Sequence, residues 1–235
     1  MKKDFLFFIP ARSGSKSIIN KNLQVINGLS LVERAIKVAS KVSSLSQVVI
    51  SSDSELILEK GRKNKINIHL RSTKNSSDNA STEDAILEFL GEIQNTYKWV
   101  VLIEPTSPFL SIDDIDKLLN ISLSTSSECI YSVAKIRHTE HFLNQRSFKE
   151  DSDKLSFLFP LEREKNRLKQ KKINTYKFGN VSAIRVDSIK SGGKFFAENS
   201  ETFEVSYLRS INIDSEEELV LARSLASSNP SLFNL

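Results

Sequence analysis

The chain has 235 residues, 39% hydrophobic and 26% charged, with a formal net charge of +4 at pH 7; this is the profile of a folded, core-forming domain, not of a disordered chain or a dedicated nucleic-acid binder. A single cysteine, Cys129, excludes a disulfide framework and points to a reducing compartment, and with only three histidines the chain is poorly equipped for a four-ligand zinc site. The apolar run near the N-terminus is far short of the ~20 residues of a membrane helix and lacks the form of a signal peptide, so a cytoplasmic protein with no membrane partner is expected.

Residues 5–10, Phe-Leu-Phe-Phe-Ile-Pro, form a short unbroken apolar run, as in a strand buried on both faces. Apolar residues at 31, 32, 35, 36, 38, 39 and 42 follow a helical period. A second buried strand is expected at 48–51, a helix over 55–63, and a shorter alternating strand over 66–70 in which His69 is structural. Residues 82–92 predict a helix with Ser81 as N-cap. Another buried strand follows at 99–103, a helix over 112–119 after Ser111, and a strand over 129–133 in which Cys129 is inert packing. This alternation over the first 135 residues predicts an α/β fold with a parallel sheet covered on both faces. Ligands of such sheets sit outside the carboxyl ends of the strands, so chemistry is expected in the polar loops at 11–28, 51–54 and 104–110.

Residues 135–177 break the pattern, with few apolar runs and a basic stretch over 161–177. One reading is a solvated arm; the other is an extension that packs on a second subunit or covers a substrate. A different class of function, a polyanion- or nucleic-acid-binding module, would use this stretch and be steeply salt-dependent. Only Tyr176 supplies an aromatic there, which argues against stacking on single strands. Regular structure is expected again at 180–186 and 203–213. A last helix follows over 215–227, with Glu216, Glu217 and Glu218 in its first turn, and then a loose tail over 228–235.

The first of the three loops reads Ala11-Arg-Ser-Gly-Ser-Lys-Ser-Ile-Ile-Asn-Lys-Asn22. It offers backbone N–H groups at Ser13 and Gly14, the guanidinium of Arg12 and the ammonium groups of Lys16 and Lys21. A triphosphate, with about four negative charges, needs that combination. The loop is neither a Walker loop nor a dinucleotide fingerprint, since it lacks both Gly-Lys-Ser/Thr at the required spacing and G-x-G-x-x-G. The bland alternative is a basic surface turn. Elsewhere, His138-Thr-Glu-His141 lacks the H-E-x-x-H spacing of a zinc helix, and no G-x-S-x-G supports a hydrolase.

Pro10-Ala-Arg-Ser-Gly-Ser-Lys16, then Asn20-Lys-Asn-Leu23 and Asn27-Gly28, resemble the signature of the cytidylyltransferases that activate acidic sugars: the CMP-sialic acid synthetases and their legionaminic, pseudaminic and Kdo relatives. The resemblance continues in order through Val48-Val-Ile-Ser-Ser-Asp53, Leu70-Arg71, Ser77-Asp-Asn-Ala-Ser81, Pro105-Thr-Ser-Pro108, Phe195-Phe196 and Ile211-Asn-Ile-Asp214. It implies a three-layer α/β/α nucleotidyltransferase fold with a mixed, mostly parallel sheet. It also implies one cytidylyltransferase domain over 1–235, in which 135–178 is an arm that makes a homodimer and shapes the sugar pocket. The implied reaction takes CTP and an acidic 2-keto sugar, a nonulosonate such as sialic, legionaminic or pseudaminic acid, to a CMP-sugar and pyrophosphate with Mg²⁺ or another divalent metal. CMP-Kdo-type or other sugar nucleotidyl transfer is the alternative.

By the same resemblance Arg12, Ser15, Lys16 and Lys21, with Ser13 and Gly14, hold the triphosphate, and Arg12, Lys16 and Lys21 carry the catalysis. Asn22, Arg71 and Ser81 read cytosine and ribose, while Asp78 orients its loop. Asp214 and Asn212 meet the metal, at positions where the family usually has two aspartates. The sugar meets Glu104, Thr106, Ser107, Arg167, Gly179, Phe195 and Phe196. Plainer readings stand beside these: Arg71 as a strand-end charge, Asn22 as a turn residue, Asp214 as a helix cap in competition with Ser215, and the two phenylalanines as core. The chain departs from the family at Glu104, usually Gln, and at Phe178-Gly179, usually Asn-Gly, where a one-residue shift offers Asn180 instead. An acid at 104 accepts bonds from hydroxyl or ammonium groups but repels a sugar carboxylate, so the expected acceptor is not plain N-acetylneuraminic acid.

Overall fold

The apolar run at 5–10 lies in the interior of the sheet. In the computed structural model, which describes residues 4–44, 47–94, 97–148, 152–166, 168, 172–198 and 200–233, β1 (Phe5–Pro10) has a parallel strand on either side. It is followed by a 3-10 turn at Lys21–Leu23 and a small hairpin of β2 (Val25–Ile26) and β3 (Leu29–Ser30). Then come α1 (Leu31–Val42), β4 (Val48–Ser52), α2 (Glu55–Lys63), β5 (Asn67–Leu70), the short α3 (Thr73–Ser76), α4 (Thr82–Glu92), β6 (Trp99–Leu102), α5 (Ile112–Ser122) and β7 (Cys129–Lys135). The arm holds a hairpin of β8 (Arg146–Phe148) and β9 (Leu155–Phe157) and a short α6 (Pro160–Lys165). The chain re-enters the sheet as β10 (Tyr176–Arg185) and continues through α7 (Val186–Lys190), β11 (Glu201–Glu204), a 3-10 turn at Tyr207–Ser210, α8 (Glu216–Ser228) and α9 (Pro230–Phe233).

The main sheet has the order β11-β7-β10-β6-β1-β4-β5. All pairings are parallel except those of β10, which runs antiparallel to both β6 and β7. The sheet is therefore mixed and mostly parallel. After β1 the chain builds outward through β4 and β5, then returns to the other side of β1 as β6. That reversal opens a crevice at the carboxyl ends of β1 and β6, where the loops 11–28 and 103–111 leave the sheet. Because β10 runs the other way, its first residues reach the same edge.

Successive residues of β1 face opposite layers, which is why an unbroken apolar run is needed. Phe5, Phe7 and Ile9 pack with Val32, Ile36, Ile57, Leu58, Ile115 and Leu118 of α1, α2 and α5. Leu6 and Phe8 pack with Ala85, Ile86 and Phe89 of α4 and Ile189 of α7. Each fully buried side chain of this size contributes roughly 1.5–3 kcal/mol. Helices α1, α4, α5 and α8 each start on a serine in a reciprocal capping box, Ser30 with Glu33, Ser81 with Asp84, Ser111 with Asp114 and Ser215 with Glu218. Each N-cap contributes about 1 kcal/mol. Among the described residues no helix is long and apolar enough to cross a membrane.

Two expectations change. The alternation at 66–70 turns inside out on the edge strand β5: His69 is 1% exposed while Ile68 and Leu70 are 36% and 64% exposed. The inward position is polar because it faces a buried serine as well as the Phe89 ring, 5.5 Å away. The tail, expected to be loose over 228–235, is packed down as far as Phe233, which is buried edge-on to Phe109, under the guanidinium of Arg34. Arg34 donates to the carbonyls of Pro108, Leu110 and Phe233, because a cation this buried must find acceptors. In the basic stretch, Arg163 and Lys172 both bind Asn144 Oδ1 at 2.7 Å.

Candidate active site

The first loop leaves β1 under tight local control. Ala11 N continues the ladder to Ser51 O, and Ser52 Oγ donates to Ala11 O at 2.6 Å. Ser13 then gives both its backbone N–H and its hydroxyl to the carboxylate of Asp53, each at 2.7 Å. Burial pushes the Asp53 carboxyl up, but these bonds outweigh it and hold it below the usual range. Asn22 is buried and donates to Arg12 O at 2.9 Å, closing the loop on itself. Ile18 plugs the far side of the loop into a cluster with Ile26, Leu31, Phe109, Ile211 and Ile213. Ser15 Oγ accepts from Ile18 N at 3.4 Å. Gly14 is exposed, and a Cβ there would meet nothing, so no packing within the protein demands a glycine.

The cations of this loop are held on carboxylates from other elements. Asp78 takes Lys16 at 2.6 Å and Arg12 at 2.9 Å, and these pairings hold its carboxyl below the usual range. Both pairs lie open to water, where an ion pair is worth little and is readily exchanged. Lys21 is more enclosed and meets Asp214 at 2.9 Å. Arg71, directly after β5, is buried. Its Nε donates to Ser51 Oγ at 2.8 Å, whereas its Nη2 is buried with no hydrogen-bond partner. Burial lowers its pKa, opposed by the charge of Asp53. Ser81 caps α4 through the Asp84 box.

Across the crevice, Glu104 lies two residues beyond β6. Ser107 N donates to Glu104 O at 3.0 Å, and Ile213 N donates to Thr106 O at 2.9 Å, tying this turn to 211–214. Burial and the charge of Asp214 push the Glu104 carboxyl up, against the pull of Lys21. Asn212 Nδ2 donates to Asp214 Oδ2 at 2.7 Å, while Asn212 Oδ1 is buried without a partner, as is Ser107 Oγ. Ser215, not Asp214, caps α8, so the Asp214 carboxylate is left to Lys21 and Asn212.

The aromatic side is split. Phe195 is buried, and its N–H donates to Glu83 Oε1 at 3.2 Å. Phe196 is 47% exposed, with φ of +62°, a left-handed conformation that costs an L residue roughly 1–2 kcal/mol. Its ring stands edge-on to Tyr131 at 5.2 Å and Phe178 at 4.9 Å. Gly179 is buried in the irregular part of β10, where a Cβ would run into Ser132. Asn180 is fully buried between Ser132 and Asp114, which excludes the one-residue shift that would bring its amide to a ligand. Arg167 lies outside the described residues. His138 and His141 do not share a helix: His141 accepts from Leu143 N through Nδ1 and faces Ile173 O through Nε2.

The structure thus gathers Arg12, Ser13, Asn22 and Arg71 around Asp53 and Asp78, and Lys21, Glu104, Asn212 and Asp214 on the facing side. The role of Asp53 as the clamp on Ser13, and that of Arg34, are not read from the sequence. For Asp53 the signal was present, in the Ser-Ser-Asp that ends β4; for Arg34 there was none beyond a charge on the apolar face of α1.

A family model described as cytidylyltransferase matches residues 6–178. The chain is 29% identical over 128 residues to an N-acylneuraminate cytidylyltransferase of Streptococcus agalactiae, a match covering 48% of this chain and 31% of that protein. It is 26% identical over 166 residues to a pseudaminic acid cytidylyltransferase of Campylobacter jejuni, covering 69% of this chain and 70% of that protein. The chain spans about a third of the length of the first curated relatives it matches. Its fold is that of a CMP:2-keto-3-deoxy-manno-octonic acid synthetase solved with CTP, with a TM-score of 0.69, 16% identity, and coverage of 95% of this chain and 98% of that one.

Proposed function

Because the chain belongs to the cytidylyltransferase family, we propose that it transfers CMP from CTP to an acidic 2-keto sugar of the nonulosonate class and releases pyrophosphate. The observation that carries this reading is the placement of Arg12, Lys16 and Lys21 in one short loop at the switch-point edge, each paired with a carboxylate that phosphate oxygens can replace. The empty space beside Gly14 supports it, since a phosphate approaching the backbone is what a Cβ would obstruct.

In this reaction the anomeric oxygen of the sugar forms a bond to the α-phosphorus as the bond to the β-phosphate oxygen breaks. The hydroxyl proton goes to water and pyrophosphate leaves. Little covalent work falls on the protein, so positioning and charge stabilisation dominate. Gly14 offers its amide and Ser15 its hydroxyl to the phosphate chain, with Ser13 anchoring the turn on Asp53, and Arg12, Lys16 and Lys21 offset the charge that grows on the leaving group. Arg71 and Asn22 face the nucleoside, with the unpartnered Nη2 of Arg71 supplying a donor for a carbonyl or hydroxyl oxygen of CTP. Asp78 and Ser81 order the loop beside them.

The residues fit a divalent cation: Asn212 keeps a buried, unpartnered Oδ1 while its Nδ2 binds the Asp214 carboxylate, so an amide oxygen and a carboxylate, ligand types that Mg²⁺ takes, come from neighbouring side chains. Among the described residues no three of His, Cys, Asp and Glu converge, so phosphate oxygens and waters would complete the shell. Bound there, the ion would neutralise phosphate charge.

For the sugar, Glu104, Thr106 and Ser107 form the floor, and Phe196 the wall beside Tyr131, with Phe195 in the core behind it. A carboxylate at 104 suits hydroxyl or ammonium groups, so the acceptor is a nonulosonate other than plain N-acetylneuraminic acid. The arm exposes Phe148, Leu155, Leu158, Phe159, Leu161 and Ile173, a surface of the kind that a second copy covers; the working form is then a homodimer, in the cytoplasm where CTP is made. Pyrophosphate release from CTP with Mg²⁺ tests the reading across sialic, legionaminic and pseudaminic acids and Kdo. Turnover with a nonulosonate, and a preference for CTP over the other triphosphates, is expected. No release with any of them sinks the activity, and N-acetylneuraminic acid as the fastest acceptor sinks the choice of sugar.

A further inference from the structure

An imidazole on the inner face of an edge strand is a costly choice where leucine would pack against Phe89. The question is what His69 supplies that an apolar side chain cannot.

Its Nδ1 lies 2.9 Å from Ser51 Oγ, and Ser51 Oγ lies 2.8 Å from Arg71 Nε. A guanidinium only donates, so the serine oxygen accepts from Arg71. The one hydroxyl proton of Ser51 is then free to go to His69 Nδ1. That direction fixes the neutral tautomer with its proton on Nε2, which is buried without a hydrogen-bond partner, the nearest carboxylates being Glu88 and Glu92 of α4 at 3.6 and 3.9 Å. Burial lowers the pKa of His69, in keeping with a neutral ring. All three linked residues, His69, Ser51 and Arg71, are buried. Among the described residues the bond to Ser51 is the hydrogen bond that orients the Arg71 guanidinium, whose Nη2 has none.

We infer that His69 is a positioning residue: by accepting the Ser51 proton it points the serine oxygen at Arg71 and so aims the guanidinium at the nucleotide. This rests on the reading that Arg71 contacts CTP. Without the acceptor at 69 the Ser51 hydroxyl turns away in search of another partner, and Arg71 Nε is left buried and unpaired.

Calorimetric titration with CTP and Mg²⁺ alone tests this without knowledge of the sugar. His69→Leu, which fills the space without an acceptor, is expected to weaken CTP binding about tenfold, and Ser51→Ala by a similar factor. The double variant should bind no more weakly than Ser51→Ala alone. His69→Asn, whose Oδ1 takes the place of Nδ1, should return the affinity to within about twofold. If His69→Leu lowers Tm but leaves CTP affinity unchanged, or if the two losses multiply, the inference is wrong. Should His69→Leu not fold, Ser51→Ala with unchanged affinity overturns it equally. Arg71→Ala with unchanged affinity identifies the other failure: the guanidinium does not meet the nucleotide at all.

Discussion

The first loop and the arm handle their side chains in opposite ways. In the loop, Ser13 and the three cations are already on partners from other elements: Ser13 on Asp53, Arg12 and Lys16 on Asp78, Lys21 on Asp214. In the arm, apolar side chains such as Phe148 and Leu161 stand exposed, and the local order comes from small contacts, with Arg163 over the Phe157 ring and on Asn144. The pairings of the loop close within one chain; the arm carries surface that one chain does not cover. Function at the first place should fail by loss of charge or anchoring, and at the second by loss of association.

The largest effect that would separate them is at Lys21. Lys21→Ala is expected to slow CTP-dependent pyrophosphate release ~10²–10³-fold while leaving thermal unfolding close to unchanged. Full turnover in that variant would break the comparison at its stronger side. The arm is tested by Phe148→Asp together with Leu155→Asp, cross-strand partners on the β8–β9 hairpin. The expected outcome is a halved mass in sedimentation, from twice 26.5 kDa to one chain, without loss of the folded state; an unchanged mass would remove the arm from the interface. Next comes Asp53→Ala, which frees both anchors of Ser13 and should raise the KM for CTP about tenfold with a smaller change in kcat, as steady-state kinetics would read.

The smallest effect is a control in neither region. Glu33, in the capping box of α1, is held down to about 2: burial opposes this, but hydrogen bonds from Ser30 and Lys60 win. A carboxyl lower in the folded than in the unfolded chain stabilises above its unfolded value of 4.5, and the benefit fades as pH falls towards about 2. Glu33→Gln should therefore cost roughly 2 kcal/mol near pH 7, with the gap narrowing below about pH 5 in denaturant titrations, and CTP affinity should not move.

Much of this was readable in the chain itself. The run at 5–10, the helix at 31–42 and the serine caps before 82 and 112 are local signals, and each element formed where its pattern lies. The cations of the first loop were legible for the same reason. What the sequence hid is long-range. Nothing local says that β10 enters the sheet antiparallel between β6 and β7, that Arg34 needs the carbonyl of Phe233, or that His69 faces inward to Ser51. Asn180 looks like a candidate ligand in sequence and is spent on Ser132 and Asp114, a fate decided by the neighbouring strand and α5.

The most direct test of the central claim is a crystal structure with CTP bound. The phosphate chain should lie against the backbone at Gly14, with Lys16 and Lys21 moved from Asp78 and Asp214 onto its oxygens. CTP bound elsewhere, with those two ion pairs intact and the loop turned from the crevice, would contradict the account.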